Sequence, residues 1–437
     1  MNDPVFSRRE WLKLGMMGAG AWAVGANGIA APVVKKPAKA VIQIWMWGGP
    51  AHLDTFDPKP DAGRDYCGAF VSPLATNVDG IRIGEMMPQL AKQADKYSII
   101  RSMTHGNNGH ETAAYIVQTG RQPDRLSWPG LGAIVSSFKG YDHGYKGLIP
   151  PYVVLTTTQG RFSECGFLGP KYKPFATGGD PAKPRFEVEG VIAAGISDER
   201  QKRRRDLLHK LDTLGRAMPT EISFQNLDLC EEQAYEMILG DARKIFDLSQ
   251  EKDELRDRYG RNTFGQSCLM ARRLVEQGVP YITINYKGWD THKQHFEIMR
   301  RKLPELDAGF ATLLDDLHQR GLLDSTIVWW GGEFGRTPKV LWEAPWNGGR
   351  NHFGNCFCAA LAGGGFAGGH VIGQSDKTGS EVVERPVHPH DLLGSICERM
   401  GIDPDGNLPN PMGQDLKVMP EEVPGFGKES NRLKEIM

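Results

Sequence analysis

Histidine and carboxylate side chains are concentrated in five short segments of the sequence, each next to an apolar run. Six of the twelve histidines lie in these segments, and a seventh, His388 or His390, comes just before the last predicted helix. The segments cover residues 49–57, 103–112, 288–295, 331–338 and 349–352. Imidazole and carboxylate groups that gather at one place can form a metal site or a general acid–base pair.

The apolar runs beside these segments predict strands, because they are short, continuous and bounded by glycine or polar residues. They cover residues 41–47, 97–101, 152–155, 279–284, 326–330 and 356–361. Helical patterns alternate with them, which is typical of an α/β fold with a parallel sheet covered on both faces. In such sheets ligands bind beyond the carboxyl ends of the strands. Four of the polar segments follow a strand, and the fifth precedes one.

Each of these residues also has a purely structural interpretation. A single histidine in a loop is commonly a hydrogen-bonded structural residue, Asp54 suits a turn, and Asp290 suits a cap for the next helix. His110 and Glu111 do not form a zinc-protease motif, because that motif needs a second histidine where this chain has Ala114. No strand is followed by a Walker loop or a Gly-x-Gly-x-x-Gly motif, so no nucleotide cofactor is expected.

The first 31 residues are predicted to be an export signal rather than part of the fold. Residues 7–13 (SRREWLK) contain paired arginines, and residues 14–31 are uncharged, rich in Gly and Ala and end in small residues. The pattern resembles a bacterial twin-arginine (Tat) signal, with the Tat translocase as a transient partner and the periplasm or cell exterior as destination. The alternative is a membrane anchor, although about 18 weakly hydrophobic residues are marginal for a span of ~20.

The remaining residues, 32–437, are predicted to form one α/β domain with a loop-rich and helical insertion over residues 158–260. Lys and Arg number 52 and Asp and Glu 53, so the net charge is −1. That balance excludes a broad electrostatic attraction to nucleic acid or anionic lipid. The basic run at residues 202–205 lies among acids in a helical pattern and indicates a solvated helix face.

Four segments resemble a bacterial family known as domain of unknown function 1501 (DUF1501), whose members typically carry a Tat signal. They are residues 48–57 (GGPAHLDTFD), 288–292 (GWDTH), 333–338 (EFGRTP) and 349–352 (GRNH). The family looks like a branch of the alkaline phosphatase/sulfatase superfamily. This resemblance implies a three-layer sandwich with a mostly parallel central sheet.

Residues 110–121 look like the nucleophile helix of sulfatases, which also ends in Thr-Gly-Arg. On this resemblance, His110 stands where sulfatases have the cysteine converted to formylglycine. His110 is therefore expected to act as a nucleophile, a base or a metal ligand. Arg336 is expected either to hold an anionic ester group or to pair with Glu333 or another nearby acid.

The resemblance also implies a metal site. One divalent cation (zinc, calcium or manganese) is expected, held by some of the acids and histidines at the sheet edge. The expected ligands are Asp54, Asp290, His292, Glu333 and His352, with His52 and His105 as further candidates.

Three functions remain open from the sequence. The first is an exported metal-dependent hydrolase of sulfate or phosphate esters, acting on a small anionic or carbohydrate ester. The second is a catalytically inactive relative that binds a ligand, such as a glycan, or a partner at the same edge. The third is an enzyme of different chemistry, such as a lyase or an oxidoreductase. The sequence does not predict the substrate, the identity of the metal or the oligomeric state.

Overall fold

The continuous apolar runs of the sequence form the strands of the protein. A computed structural model describes residues 36–158, 164–184, 186–188, 198–211, 242–410, 413–420 and 431–437. Its strands are β1 (Ala40–Trp45), β2 (Leu74–Ala75), β3 (Arg82–Ile83), β4 (Tyr97–Met103), β5 (Tyr152–Leu155), β6 (Phe175–Ala176), β7 (Tyr281–Asn285), β8 (Thr326–Gly331), β9 (Gly335–Arg336), β10 (His352–Phe353), β11 (Phe357–Ala362), β12 (Val371–Ile372), β13 (Gln374–Ser375) and β14 (Val382–Glu384). Its α-helices are α1 (Arg64–Cys67), α2 (Pro88–Ala91), α3 (His110–Thr119), α4 (Leu131–Lys139), α5 (Asp198–Leu211), α6 (Ala242–Ile245), α7 (Asp253–Tyr259), α8 (Thr263–Glu276), α9 (His295–Gln319) and α10 (Pro389–Arg399).

Eight of these strands pair into a central sheet in the order β12-β4-β11-β8-β1-β7-β5-β6. Strand β1 lies between β7 and β8 and is parallel to both, so that Ile42 pairs with Ile282 on one side and Val328 on the other. The pairs β5–β7, β5–β6 and β4–β12 are also parallel. Strand β11 alone in this sheet is antiparallel to its neighbours, β4 and β8. The predicted mostly parallel sheet is therefore confirmed.

The reversed direction of β11 brings the fifth polar segment to the same edge as the other four. The carboxyl ends of β1, β4, β7 and β8 lie at the edge where β11 begins, because an antiparallel strand enters the sheet from that side. The chain reaches β11 through β10, in which His352 pairs with Arg336 of β9. Residues that precede β11 thus meet residues that follow the parallel strands.

Alternate side chains of β1 enter two separate hydrophobic cores. Ile42 and Ile44 pack with buried residues of α2, α8 and α9, whereas Val41 and Trp45 pack with those of α3, α4 and α10. Successive side chains of a strand point to opposite faces of the sheet, so helices cover both faces. The result is a three-layer sandwich, as predicted.

Residues Pro37–Met437 form one compact unit. The predicted export signal at residues 1–31 lies outside the described residues, and the predicted insertion at residues 158–260 is described only in part. In that insertion, residues 202–204 of the basic run are exposed on α5, as a solvated helix face requires. Within the described part of the chain, every helix is too short or too polar to span a bilayer.

Candidate metal centre

Four side chains meet at the carboxyl edge of the sheet. Asp290 and His292 lie in the loop between β7 and α9, His352 lies in β10, and His110 is the first residue of α3. Asp290 Oδ1 lies 3.0 Å from His292 Nε2 and 3.1 Å from His352 Nε2. Asp290 Oδ2 lies 3.3 Å from His110 Nε2. These four residues are called the His–Asp cluster below.

The rings of His292 and His352 face each other across the cluster, with their Nε2 atoms 2.9 Å apart. Their other ring nitrogens are held by oxygen atoms. His352 Nδ1 donates to the main-chain oxygen of Asn108 at 2.8 Å, and His292 Nδ1 lies 2.9 Å from the side-chain oxygen of Asn351. A carbonyl oxygen can only accept, so neutral His352 carries its proton on Nδ1. Its Nε2 then presents a lone pair to His292 and Asp290.

This arrangement places the Nε2 atoms of two imidazole rings and a carboxylate oxygen around one point, where a proton or a cation can bind. Metal-bound histidines typically show this pattern, with Nδ1–H donated to a protein oxygen and Nε2 turned to the ion. The three converging atoms of Asp290, His292 and His352 lie within 3.1 Å of one another. Tetrahedral zinc with ligands at about 2.1 Å separates its donors by about 3.4 Å, so these side chains fit such an ion after a small adjustment.

His110 offers a further donor and is held from behind by a buried carboxylate. Its Nε2 belongs to the group of His110, Asp290 and His352 whose potential ligand atoms all lie within 4.8 Å of one another. Its Nδ1 lies 2.8 Å from Glu333 Oε1. Hydrogen bonds to Asp290 and Glu333 raise the pKa of His110 to about 9, although partial burial opposes the shift. Without a cation, His110 is therefore charged at neutral pH.

Glu333, predicted as a metal ligand, lies behind His110 rather than within the cluster. Its side chain is fully buried, and its Oε1 also accepts the main-chain N–H of Gly48 at 2.8 Å. Among the described residues, no group donates to its Oε2. The structure therefore gives Glu333 the geometry of a residue that orients His110.

Gly48 is required where β1 turns into this site. Its φ is 111°, a conformation that side-chain-bearing residues rarely adopt. A Cβ atom on Gly48 would lie 2.2 Å from the main-chain nitrogen of Asp290. The glycine thus allows two strand ends to approach closely enough for Asp290 and Glu333 to flank His110.

Arg336 is buried and fixes Asp290 in place. It makes three hydrogen bonds to main-chain oxygens and one to Asp290 Oδ1. Burial works to raise the pKa of the Asp290 carboxyl, but bonds from His110, His352 and Arg336 hold it well below its usual range. Of the two interpretations that the sequence left open for Arg336, the structure therefore shows the ion pair with an acid, and that acid is Asp290.

Two aromatic rings border the cluster. Phe334 stacks on His352 with ring centroids 4.5 Å apart, and Trp47 stacks on His110 at 5.6 Å. Apolar rings lower the local dielectric, which strengthens the electrostatic interactions beside them. The sequence analysis gave neither ring a role. The signals that could have found them are the position of Trp47 just after β1 and that of Phe334 next to Glu333.

Asp54, also predicted as a ligand, belongs to a separate buried network. Its Oδ2 lies 2.6 Å from His295 Nε2, and the Nδ1 of His295 lies 2.5 Å from the Thr291 hydroxyl. Burial works to raise the pKa of Asp54, but Arg350 and His295 outweigh it and lower the pKa. Thr291 stands between two members of the cluster in the sequence. The network therefore anchors the loop that carries Asp290 and His292.

The structure does not bring the two further candidates, His52 and His105, into the cluster. His52 Nε2 lies 2.8 Å from the main-chain oxygen of Gly379, and His105 Nε2 lies 2.6 Å from that of Glu333. Both rings are buried, which lowers the pKa of His52 and lowers that of His105 to about 4. They are neutral residues that tie loops to the sheet edge.

The oxygens that orient the rings were missed by sequence reasoning. Asn351 lies in the recognised segment 349–352, but the sequence gave it no role. Asn108 acts through its main-chain oxygen, which every residue possesses, so its identity carries no signal.

Comparison with known proteins matches the chain to one family. The sequence profile described as "Protein of unknown function (DUF1501)" matches residues 38–424. No curated protein shows significant sequence similarity to the chain.

Similar solved structures include three bacterial proteins. The lipoteichoic acid synthase LtaP from Listeria monocytogenes has a TM-score of 0.38 and 9% identity, covering 89% of this chain and 76% of that one. The PsFucS1 sulfatase from Pseudoalteromonas sp. has a TM-score of 0.35 and 14% identity, covering 84% and 68%. A protein in the alkaline phosphatase superfamily from Vibrio parahaemolyticus has a TM-score of 0.36 and 10% identity, covering 91% and 76%. At these TM-scores the similarities carry no conclusion about activity.

Proposed function

The chain belongs to the DUF1501 family of proteins of unknown function, and we propose that it is a metal-dependent hydrolase of sulfate or phosphate esters. The observation that carries this proposal is the convergence of Asp290 Oδ1, His292 Nε2 and His352 Nε2 within 3.1 Å of one another. Export by the Tat pathway to the periplasm or cell exterior is part of the proposal and rests on the pattern in residues 7–13.

Asp290, His292 and His352 would hold the cation. Two imidazole nitrogens and one carboxylate oxygen suit zinc or manganese better than calcium, which prefers six to eight oxygen ligands. Three protein donors leave a position for water or substrate, as in catalytic rather than structural zinc sites. A divalent cation held in this way lowers the pKa of bound water and polarises the oxygens of an ester.

His110 is placed to move a proton. Glu333 holds its Nδ1, which leaves Nε2 beside Asp290 on the accessible side, and the ring is 25% exposed. A cation held by Asp290 would take from His110 one of the two carboxylates that stabilise its charge and would thereby lower its pKa toward neutrality. An acid with such a pKa is suited to protonate the oxygen of a leaving group. Glu333 keeps the ring oriented during this transfer.

A sulfate or phosphate ester is the substrate class that fits the charges of the site. The charge of Arg336 is already paired with Asp290. A cation together with protonated His110 would therefore supply the positive charge that an anionic ester needs. The side chains of Asp290 and His292 are 40% and 34% exposed, so a small anionic or carbohydrate ester can reach them.

The test combines metal analysis with turnover. Protein freed of metal by a chelator is supplied with zinc, manganese or calcium, and turnover of 4-nitrophenyl sulfate and 4-nitrophenyl phosphate is measured. We expect one equivalent of zinc or manganese and hydrolysis of one of the two esters. The variants His352→Ala and Asp290→Asn lose both, whereas His318→Ala, at an exposed position in α9, retains both. Absence of binding and turnover with all three ions refutes the proposal.

One observation favours a second candidate function. Among the described residues, no Ser, Thr or Cys side chain is hydrogen-bonded to a member of the His–Asp cluster. The cluster thus lacks the hydroxyl or thiol nucleophile that the superfamily resemblance implies. A protein that binds a cation and an anionic ligand, such as a glycan, without turnover is the alternative. Turnover that is lost in His110→Ala, while metal binding remains, excludes this alternative.

A further inference from the structure

A pocket with an exposed tryptophan lies on the two loops that carry the cluster. Gln294 follows His292 by two residues, and Trp342 and Asn347 lie in the segment between β9 and β10. These residues, Arg64 of α1 and the exposed Glu297 of α9 are among those that line a cavity of about 430 Å³. This volume is within the range of small-molecule sites.

Trp342 offers a rigid apolar surface in this pocket. The residue is 38% exposed, and its ring stacks on Phe296 with centroids 5.7 Å apart and planes 18° apart. Phe296 is itself buried at the start of α9, so it fixes the tryptophan ring from behind. A large flat ring of this kind can pack against the apolar C–H face of a sugar ring.

Arg64 supplies a positive charge next to this surface, in a cation–π contact with the tryptophan and without an ion pair among the described residues. Its guanidinium carbon lies 5.4 Å from the centroid of the Trp342 ring. Its side chain is exposed and makes no ion pair or hydrogen bond with any other described residue. A guanidinium group can bind two oxygens of a sulfate or phosphate at once. Arg64 therefore differs from Arg336, whose donors are occupied by the protein.

Gln294 and Asn347, the two amide residues of the pocket, both have a left-handed backbone conformation. Four non-glycine residues in the described part of the chain have positive φ, and two of them, Gln294 (52°) and Asn347 (47°), line this pocket. The main-chain N–H of Gln294 donates to the oxygen of Trp346 at 3.0 Å, which ties the two loops together. Such conformations are concentrated at sites that hold ligands.

We propose that this pocket binds the sugar unit of an anionic carbohydrate ester. The sugar ring packs on Trp342, its sulfate or phosphate group pairs with Arg64, and its hydroxyl groups bond to Gln294 and Asn347. The inference rests on the proposed function for one point only, namely that this sugar belongs to a substrate whose reacting ester lies at the His–Asp cluster. Binding itself needs neither metal nor turnover.

The test measures binding of glucose 6-sulfate, glucose 6-phosphate and glucose to chelator-treated protein. The indole N–H resonance of Trp342, identified by its loss in Trp342→Phe, is expected to shift with the anionic sugars. Arg64→Gln weakens binding of the two anionic sugars by about tenfold and leaves that of glucose unchanged, since only a charged contact is lost. Trp342→Ala weakens binding of all three sugars. The control Arg125→Gln, at an exposed arginine, binds like the native protein.

The outcomes separate this inference from the proposed function. His352→Ala retains sugar binding, so a protein without metal or turnover can still confirm the pocket. The stronger binder of the two anionic sugars identifies the anionic group that Arg64 prefers. The inference is overturned if no sugar shifts the Trp342 resonance, if Trp342→Ala binds as the native protein does, or if glucose binds as tightly as its anionic esters.

Discussion

Replacement of Glu333 by glutamine removes a charge from behind His110 and keeps the shape of the site. The amide oxygen can still accept from His110 Nδ1 and from Gly48 N–H, which both bond to Glu333 Oε1. The pKa of His110 is raised from 6.5 to about 9, which corresponds to about 3 kcal/mol in favour of its charged form. The hydrogen bond to Asp290 is the largest cause of this shift and the bond to Glu333 is the next, while partial burial opposes both. Loss of Glu333 should therefore lower the pKa of His110 by about 1–2 units.

The assay is an NMR pH titration of the histidine ring nitrogens in chelator-treated protein. The Glu333→Gln variant is expected to titrate His110 nearer to neutral pH than the native protein does. The control Glu254→Gln, at an exposed position of α7, leaves the titration unchanged. A pKa of His110 that is the same in Glu333→Gln and native protein would refute the conclusion that the buried carboxylate stabilises the His110 charge.

Three further predictions concern the supports of the site. Thr291→Val leaves the buried Nδ1 of His295 without its hydrogen-bond donor, so the free energy of unfolding in urea should fall by about 1–3 kcal/mol and zinc binding should weaken. Thr291→Ser keeps the hydroxyl and should retain native stability and zinc binding. A Thr291→Val protein with native values for both would contradict this role. Gly48→Ala places a Cβ 2.2 Å from the Asp290 nitrogen, so we expect lower thermal stability and weaker zinc binding, and native values for both would contradict the account. The pKa of His105 is about 4 in the folded protein and about 6.5 in the unfolded chain, so protonation of His105 favours unfolding. The stability that the neutral His105 ring provides is therefore complete above pH 6.5 and falls as the pH drops toward 4. The loss of unfolding free energy between pH 7 and pH 5 should accordingly be about 2 kcal/mol smaller in His105→Gln than in native protein, and equal losses would contradict the assigned burial.

The sheet and the edge at which the polar segments gather could be predicted from the sequence. Strands buried on both faces must be continuously apolar, and the polar segments directly after them mark their carboxyl ends. The direction of β11 could not be predicted, because a buried strand has the same continuous apolar pattern whether it is parallel or antiparallel to its neighbours, as in residues 356–361. The position of His352 beside Asp290 depends on that direction.

The roles of the gathered acids could not be predicted from residue type and spacing. Asp54 and Glu333 lie in the same kind of segment as Asp290, yet Asp54 pairs with His295 and Glu333 bonds to His110. Spacing places a residue at the sheet edge, whereas the direction of its side chain is decided by partners that are distant in sequence. Arg336 illustrates this, since its partner Asp290 is 46 residues away.

The most direct test of the metal centre is a crystal structure of the protein soaked with zinc, with data recorded on both sides of the zinc absorption edge. We predict one strong anomalous peak at about 2.0–2.2 Å from His292 Nε2, His352 Nε2 and the Asp290 carboxylate. The peak should be absent from crystals of His352→Ala treated in the same way. An empty His–Asp cluster in native crystals, or zinc bound only elsewhere, would contradict the account.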